Sequence, residues 1–296
     1  MRDILSFAQE LEFAPEQIES LTTAERAITG AGGESVFTDA ADAFISKKII
    51  DTKEAARPLE ELGRTLGISE YTVDALFVLH GFLAQKEDYI ATFGEEVFYD
   101  SARDLRYKVN ECTATHGIVG TVSLHGWYRL FLRRELFSLG RLQFHTVSFV
   151  YPDVEIGGRL LKTGDLIIKT HIPSSGRLRG EDCLDAYRRA YRFFRHRFSD
   201  DLIPIFCSSW LLDPEIAAAM PEGGIAQFAS HFHIFDVTVD EADHDLWRIF
   251  GKTYEDLSEL PRKNRLQVHI ADRLTAGRHM ATGFGAFFFD GENILK

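Results

Sequence analysis

The chain predicts an α+β fold of mixed type: an all-helical N-terminal domain followed by a mixed β-sheet domain flanked by helices. Two observations carry this. Residues 1–115 repeat apolar side chains at helical spacing in 14–29, 36–46, 53–66, 70–91 and 95–109. Breaks fall at Gly30 to Gly33 and at Gly67, and strand-like alternation is absent. From Gly140 onward, alternating and β-branched runs dominate, punctuated by Gly- and Pro-bearing loops. The texture changes near Gly117 to Val122, which sets the expected domains at 1–119 and 120–296.

In chain order, the second part opens with an amphipathic helix over about 123–136, carrying Trp127, Leu130, Phe131 and Arg134. Residues 141–150 alternate, setting Arg141, Gln143 and His145 on one strand face and Leu142 and Phe144 on the other. Residues 166–172 form a short apolar strand. A loop, 173–180, leads into a helix over 181–199, where Leu184, Tyr187, Tyr191, Phe194 and Phe198 make a buried seam. A second strand covers 203–210. Asp213-Pro214 then starts a short helix, the carboxylate capping and the proline suiting the first turn. A long bent strand over 225–239, two helical pieces (241–258 and 263–276) and a last strand over 280–289 complete the order.

Composition narrows the class. The chain has 296 residues, 45% hydrophobic and 26% charged, enough for a sizeable core in a soluble protein. No apolar run approaches the roughly 20 residues that span a bilayer, and the N-terminus lacks a signal pattern. A membrane partner is not expected. Cys112, Cys183 and Cys207 are too few and scattered for a disulfide framework or a paired-Cys zinc site, so the expected compartment is a reducing cytoplasm and no metal is expected. Residues 1–120 hold 22 of the 45 acidic and 11 of the 33 basic side chains, so nearly all of the net charge of −12 lies there. Such a field argues against nucleic acid as a partner of this part. Residues 62–73 have the outline of a helix-turn-helix, but the second helix would present Glu70, Asp74 and an apolar run, which suits an ordinary helical hairpin better.

The loop Ser174, Ser175, Gly176, Arg177, Leu178 and Arg179 is the most informative segment. A loop running from a strand into a helix N-terminus presents unpaired N–H groups at the positive end of the helix dipole, a ready place for phosphate or pyrophosphate. A nucleotide-bearing cofactor is the expectation that follows.

Phe137-Ser138-Leu139-Gly140-Arg141-Leu142-Gln143-Phe144, His171-Ile172-Pro173 with Gly176 and Leu178, and Cys207-Ser208-Ser209-Trp210-Leu211-Leu212-Asp213-Pro214 resemble a bacterial two-domain acyltransferase family. That family joins a helical N-acyltransferase N-terminal domain to a GNAT-like C-terminal domain. Leu260-Pro261, Leu266-Gln267, Gly277, Gly283 and Gly285 agree with it, so the resemblance spans nearly the whole chain. It implies a GNAT-like fold, with acyl-CoA or CoA as co-substrate and an amine acceptor of small size. It also implies that strands 166–172 and 203–210 splay to admit the pantetheine arm while loop 173–180 takes the pyrophosphate. The chain departs from the usual loop, which has a Gln or Arg followed by two residues and a Gly-x-Gly/Ala. Here only Gly176 and Gly180 stand near it, and Glu181 and Asp182 oppose an anion.

Amine acylation needs a base for the nitrogen proton and a donor for the thioester oxygen. Candidates are His145, His171, Cys207 and Ser208, with Arg141, Gln143 and Trp210 toward the acceptor. Each has a plainer reading. His171 can end a strand with its ring bonded to backbone, and Cys207 can be a small buried hydrophobe. Ser208 and Ser209 can bond local backbone, and 141–145 can be a half-exposed polar strand face. His231 and His233, two apart on one expected strand face, have a spacing that zinc sites use but lack a clear third ligand. Phe284, Phe287, Phe288 and Phe289 wall either an acyl pocket or the core. The expected activity is acyl-CoA-dependent N-acyl transfer by direct attack of an amine. The alternatives are a non-catalytic module that binds a CoA-like ligand or a partner protein, and a metal hydrolase built on the His pair.

Overall fold

The computed structural model describes residues 3–296, which divide into two compact units, Met1–Ser138 and Leu139–Lys296. The first unit is helical: α1 (Ile4–Glu10), α2 (Pro15–Ile28), α3 (Glu34–Ile45), α4 (Thr52–Thr65), α5 (Glu70–Phe93), α6 (Glu95–Ala102), α7 (Asp104–His116) and α8 (Arg129–Leu132). Its axis is α5. Every residue from Thr72 to Phe82 is buried, so this stretch lies inside a jacket of other helices. A helix enclosed on all sides has no face to lay in a DNA groove, and Leu66-Gly67 is the turn of a plain hairpin between α4 and α5. Phe37, Phe44, Phe77, Phe82, Phe98 and Phe131 fill the centre.

Residues 123–136 do not form the single expected helix. They make a wide turn over Leu124–Tyr128 and the four-residue α8. The buried Asp104 carboxylate explains the position of this turn, because it accepts from Trp127 Nε1 and Tyr128 Oη, both at 3.0 Å. Those bonds also tie the segment into the helical unit. The division of the chain accordingly falls at 138/139, whereas the change of texture suggested 119/120.

The second unit comprises β2 (Leu142–Ser148), β3 (Val154–Ile156), β4 (Arg159–Leu161), β5 (Leu166–His171), α9 (Gly180–Phe194), β6 (Ile203–Ser209), α10 (Pro214–Ala219), α11 (Gly224–Ala229), β7 (His233–Asp240), α12 (Leu246–Phe250), α13 (Arg265–Thr275), β8 (Met280–Phe289) and β9 (Ile294–Leu295); β1 (Phe137–Leu139) lies at the division. The main sheet runs β1-β2-β5-β6-β8-β7, with β9 on β8. All its neighbours from β2 onward are antiparallel except β5 and β6, which are parallel. The parallel pair requires a crossover, and α9 supplies it.

The two sheet faces differ. Against α9 lie Phe144, Phe287 and Phe289 around the buried Tyr187. On the other face Phe149, Ile167, Phe206, Ala286 and Phe288 pack with Ile156 and Leu161 of the β3–β4 hairpin, which the sequence pattern did not reveal. A separate cluster of Ile216, Ile249, Phe250, Ile270 and Leu274 anchors α10, α12 and α13. There Arg273 meets Asp213 at 2.6 Å, and both side chains are almost fully buried.

Two other expectations are corrected. The bent strand over 225–239 is α11 followed by β7, because Ile225, Phe228, Ala229 and Phe232 lie at helical spacing and Phe228 packs on Phe232. The helix over 241–258 shrinks to α12 and a single turn at Leu257–Glu259. Asp240 draws the amides of Ala242 and His244 into a turn, and Gly251 ends α12 in the left-handed region.

Candidate active site

The site forms where β5 and β6 part. Their pairing runs through Ile168–Ile205, Lys169–Phe206 and Thr170–Cys207, and no further pair follows among the described residues. β6 continues regardless, joined to β8 through Ser208–Phe284 and Ser209–Gly283. β5 instead leaves into the loop 173–179. A parallel pair that unzips at one end leaves a slot between two strand ends, with backbone groups available to whatever enters.

The loop at the mouth of the slot is clamped from the preceding strand region. Arg141 donates from Nε to the Arg177 carbonyl (3.0 Å), from Nη1 to that of Pro173 (3.1 Å) and from Nη2 to that of Gly176 (2.8 Å). The expected acceptor contact is thus a bracket for the loop. Gly176 sits at φ 110°, a conformation that favours glycine. On its other side the loop rests on α11: a Cβ at Gly224 would stand 1.8 Å from the Leu178 carbonyl oxygen, so only glycine permits this approach. Gln227 Oε1 also accepts from the Gly180 amide at 3.4 Å. Arg177 and Arg179 are exposed and make no side-chain hydrogen bond or ion pair among the described residues, whereas Glu181 and Asp182 occupy the first turn of α9. Ser174 is exposed, and Ser175 and Leu178 are half-buried. The loop therefore offers cations around an N-terminus whose own first turn is acidic.

Two imidazoles meet beside the slot. The antiparallel register of β2 and β5 sets Gln143 opposite His171 and His145 opposite Lys169, so His145 and His171 are diagonal neighbours on one face. Their Nε2 atoms lie 3.3 Å apart and both rings are half-buried. One ring donates and the other accepts. The pair takes up a single proton readily and a second only against like charge, as suits a base. Gln143 is 1% exposed. It braces the floor under His171, and burial rules out the half-exposed polar face expected for this strand.

The remaining candidates separate. Cys207 is wholly buried, and burial pushes its thiol up to about 12, so it holds no thiolate near neutrality. The last pair, Thr170–Cys207, has the opposite parity to Lys169 and Phe206, so Cys207 faces α9, away from the imidazoles. Its nucleophilic role is thereby corrected. Ser208 is half-buried at the slot wall, whereas Ser209 Oγ accepts from Leu211 N and only caps a turn. Trp210 packs on the cluster around Ile249 and Phe250, which makes it an anchor and not an acceptor contact. His231 lies in the turn before β7 with its ring against Tyr187, and burial holds it down to about 4; His233 is exposed at the start of β7. Among the described residues no group of three or more His, Cys, Asp or Glu is placed to hold a metal.

Sequence reasoning missed Lys169, whose Nζ stands 6.0 Å from the Phe206 ring centre, and Tyr151, which packs on Phe206 and Phe284. The alternation of Lys169 with His171 was the available signal for the first. Nothing local signals the second, because its contacts come from strands far along the chain.

A mixed sheet with one parallel pair splayed at its C-terminal end, a loop beneath the splay and a helix following it defines the GNAT class of fold. The chain belongs to the GNAT-like C-terminal domain family, whose model matches residues 136–287. Among solved structures, the chain resembles an acyltransferase in complex with decanoyl-CoA and teicoplanin (TM-score 0.72, 20% identity, covering 95% of this chain and 86% of that one). An acyltransferase in complex with CoA and 10C-teicoplanin is similar at TM-score 0.71 and 20% identity, with the same coverage. An acyltransferase in complex with decanoyl-CoA matches at TM-score 0.61 and 21% identity, covering 96% of this chain and 98% of that one. These likenesses extend across both units, so the two-domain architecture is shared. A search of curated proteins returns no match.

Proposed function

We propose that this protein is an acyl-CoA-dependent N-acyltransferase. The observation that carries the reading is the joint placement of an unzipped β5–β6 slot, a clamped cationic loop at its mouth and a His145–His171 pair beside it. Pyrophosphate would lie against the loop amides with Arg177 and Arg179 offsetting Glu181 and Asp182, while the pantetheine arm enters the slot as an added strand. The free amine attacks the thioester carbon. A C–N bond forms, the C–S bond breaks with its electron pair on sulfur, His171 takes the nitrogen proton, and that proton returns to the departing thiolate. Ser208 Oγ is the side-chain donor nearest the slot wall for the developing oxyanion. His145 shares the proton held by His171.

The similar structures that hold decanoyl-CoA or CoA support a CoA thioester as co-substrate, and the one that also holds teicoplanin supports a small-molecule acceptor. The excess of acid in residues 1–120 favours a cationic amine. Three buried, unpaired cysteines suit a reducing cytoplasm.

The test is a thermal shift with CoA, acetyl-CoA and longer acyl-CoAs, followed by thiol release in the presence of an amine panel. Saturation at 100 times the dissociation constant stabilises by about 2.7 kcal/mol. Stabilisation with amine-dependent thiol release is expected. Stabilisation without thiol release for any amine would favour the non-catalytic binding module, and no shift with any thioester would remove CoA from the account.

A further inference from the structure

Resting on the transferase reading, we propose that the slot divides its two substrates. On this division the acyl chain lies over an aromatic surface made by Tyr151, Phe206, Phe235 and Phe284, and the amine approaches from the imidazole side. Helix α9 and its loop occupy one face of the sheet, and that face is filled beneath the slot by Tyr187, Phe287 and Phe289. A thioester that arrives over the loop and passes between β5 and β6 therefore delivers its acyl group to the opposite face.

That face is polar on one side of the slot and aromatic on the other. Toward β2 stand Gln143, His145 and His171. Toward β7, Phe206 and Ser208 share the face with Phe284, which lies directly across from Ser208. Phe235 joins them because the register shifts between Ile234 and Asp236, and this irregularity turns an extra side chain onto the same face. Tyr151 roofs the group, its ring centre 5.3 Å from those of Phe206 and Phe284 and 5.8 Å from that of Phe235. Tyr151, Phe235 and Phe284 are each only half-buried, and Val150 beside them is 73% exposed. Large aromatics left half-open next to a reaction slot form a surface that an alkyl chain desolvates. Each methylene buried there is worth about fourfold in affinity. An acetyl group is too short to reach this surface, so the arrangement assigns a medium-chain acyl donor.

The experiment measures kcat/KM for acetyl-, hexanoyl- and decanoyl-CoA with one amine, alongside dissociation constants for decanoyl-CoA and CoA. Wild type is expected to prefer decanoyl over acetyl at least tenfold. In Phe284→Ala and Tyr151→Ala that ratio falls at least tenfold while acetyl transfer stays within threefold, and Tyr151→Phe, which keeps the ring, retains the wild-type profile. A ratio unchanged in both alanine variants overturns the proposal. So does a raised amine KM at constant chain-length profile, which would give the aromatics and the neighbouring Asp236 to a cationic acceptor. Binding of CoA with no added affinity for decanoyl-CoA sinks the acyl surface alone, whereas binding of no thioester sinks the transferase reading with it.

Discussion

The central helix of the first unit and the slot of the second handle polar side chains in opposite ways. Around α5, polar groups are buried and paired with one another: His80 Nε2 meets Glu25 Oε1 at 3.1 Å, and the Asp104 carboxylate holds Trp127 and Tyr128. At the slot, His145, His171 and Ser208 stay half-buried, and Arg177 and Arg179 are exposed. The lesson is that polarity spent on internal pairing holds a fold, while polarity kept at a solvent boundary is available for chemistry. One residue of each region breaks the pattern. In the first unit Asp74 is buried and its Oδ1 has no hydrogen-bond partner. In the second, the Arg273–Asp213 pair is as buried as anything around α5.

The sharpest test of the contrast is at the imidazoles. His171→Ala is expected to lower kcat for acyl transfer about a thousandfold with the melting temperature nearly unchanged. His145→Ala should cost about tenfold, because it removes the shared site and not the base. A large loss of stability in either would place the pair among the structural contacts. Next, Arg273→Ala strands the Asp213 carboxylate in an apolar cluster and should lower the unfolding free energy by ~3–5 kcal/mol, read by denaturant titration.

Asp74→Asn should act in the opposite direction. Burial first, then the nearby Glu60 and Glu70 carboxylates, push the Asp74 carboxyl up to about 8. Between pH 4 and 8 the unfolded chain releases this proton and the folded chain keeps it, so stability is lost as pH rises through that window. The asparagine variant should be more stable than wild type by ~3 kcal/mol at pH 8, with the gain vanishing near pH 4. The smallest effect is expected at Cys207→Ala: turnover within about threefold and ~1 kcal/mol of stability. Loss of all acyl transfer in this variant would restore the thiol as nucleophile.

Much of the frame was legible in the sequence because it rests on local pattern. The runs at 166–171 and 203–209 are short, apolar and bounded by turn residues, and the seam at Tyr187 and Phe194 is helical in spacing. The segment 225–232 was misread because Ile225, Phe228 and Phe232 satisfy an apolar tally for either element, and the deciding contact, Gly224 on the Leu178 carbonyl, is made 46 positions away. The site was half legible. His145 and His171 were both visible as polar residues on strands, but their meeting depends on a register fixed by neither strand alone. Burial of Gln143 and Cys207 likewise follows from what covers the sheet, and that information lies elsewhere in the chain.

The grip of Arg141 has a consequence for how the loop presents itself. In a trans peptide the carbonyl and the next residue's N–H point opposite ways. With the carbonyls of Pro173, Gly176 and Arg177 gathered on one guanidinium, the N–H bonds of Ser174, Arg177 and Leu178 are turned away from it. Receptivity to an anion is thereby imposed from outside the loop. Its own residues are released from the task, and the loop's spelling is free to drift while the edge it offers stays the same.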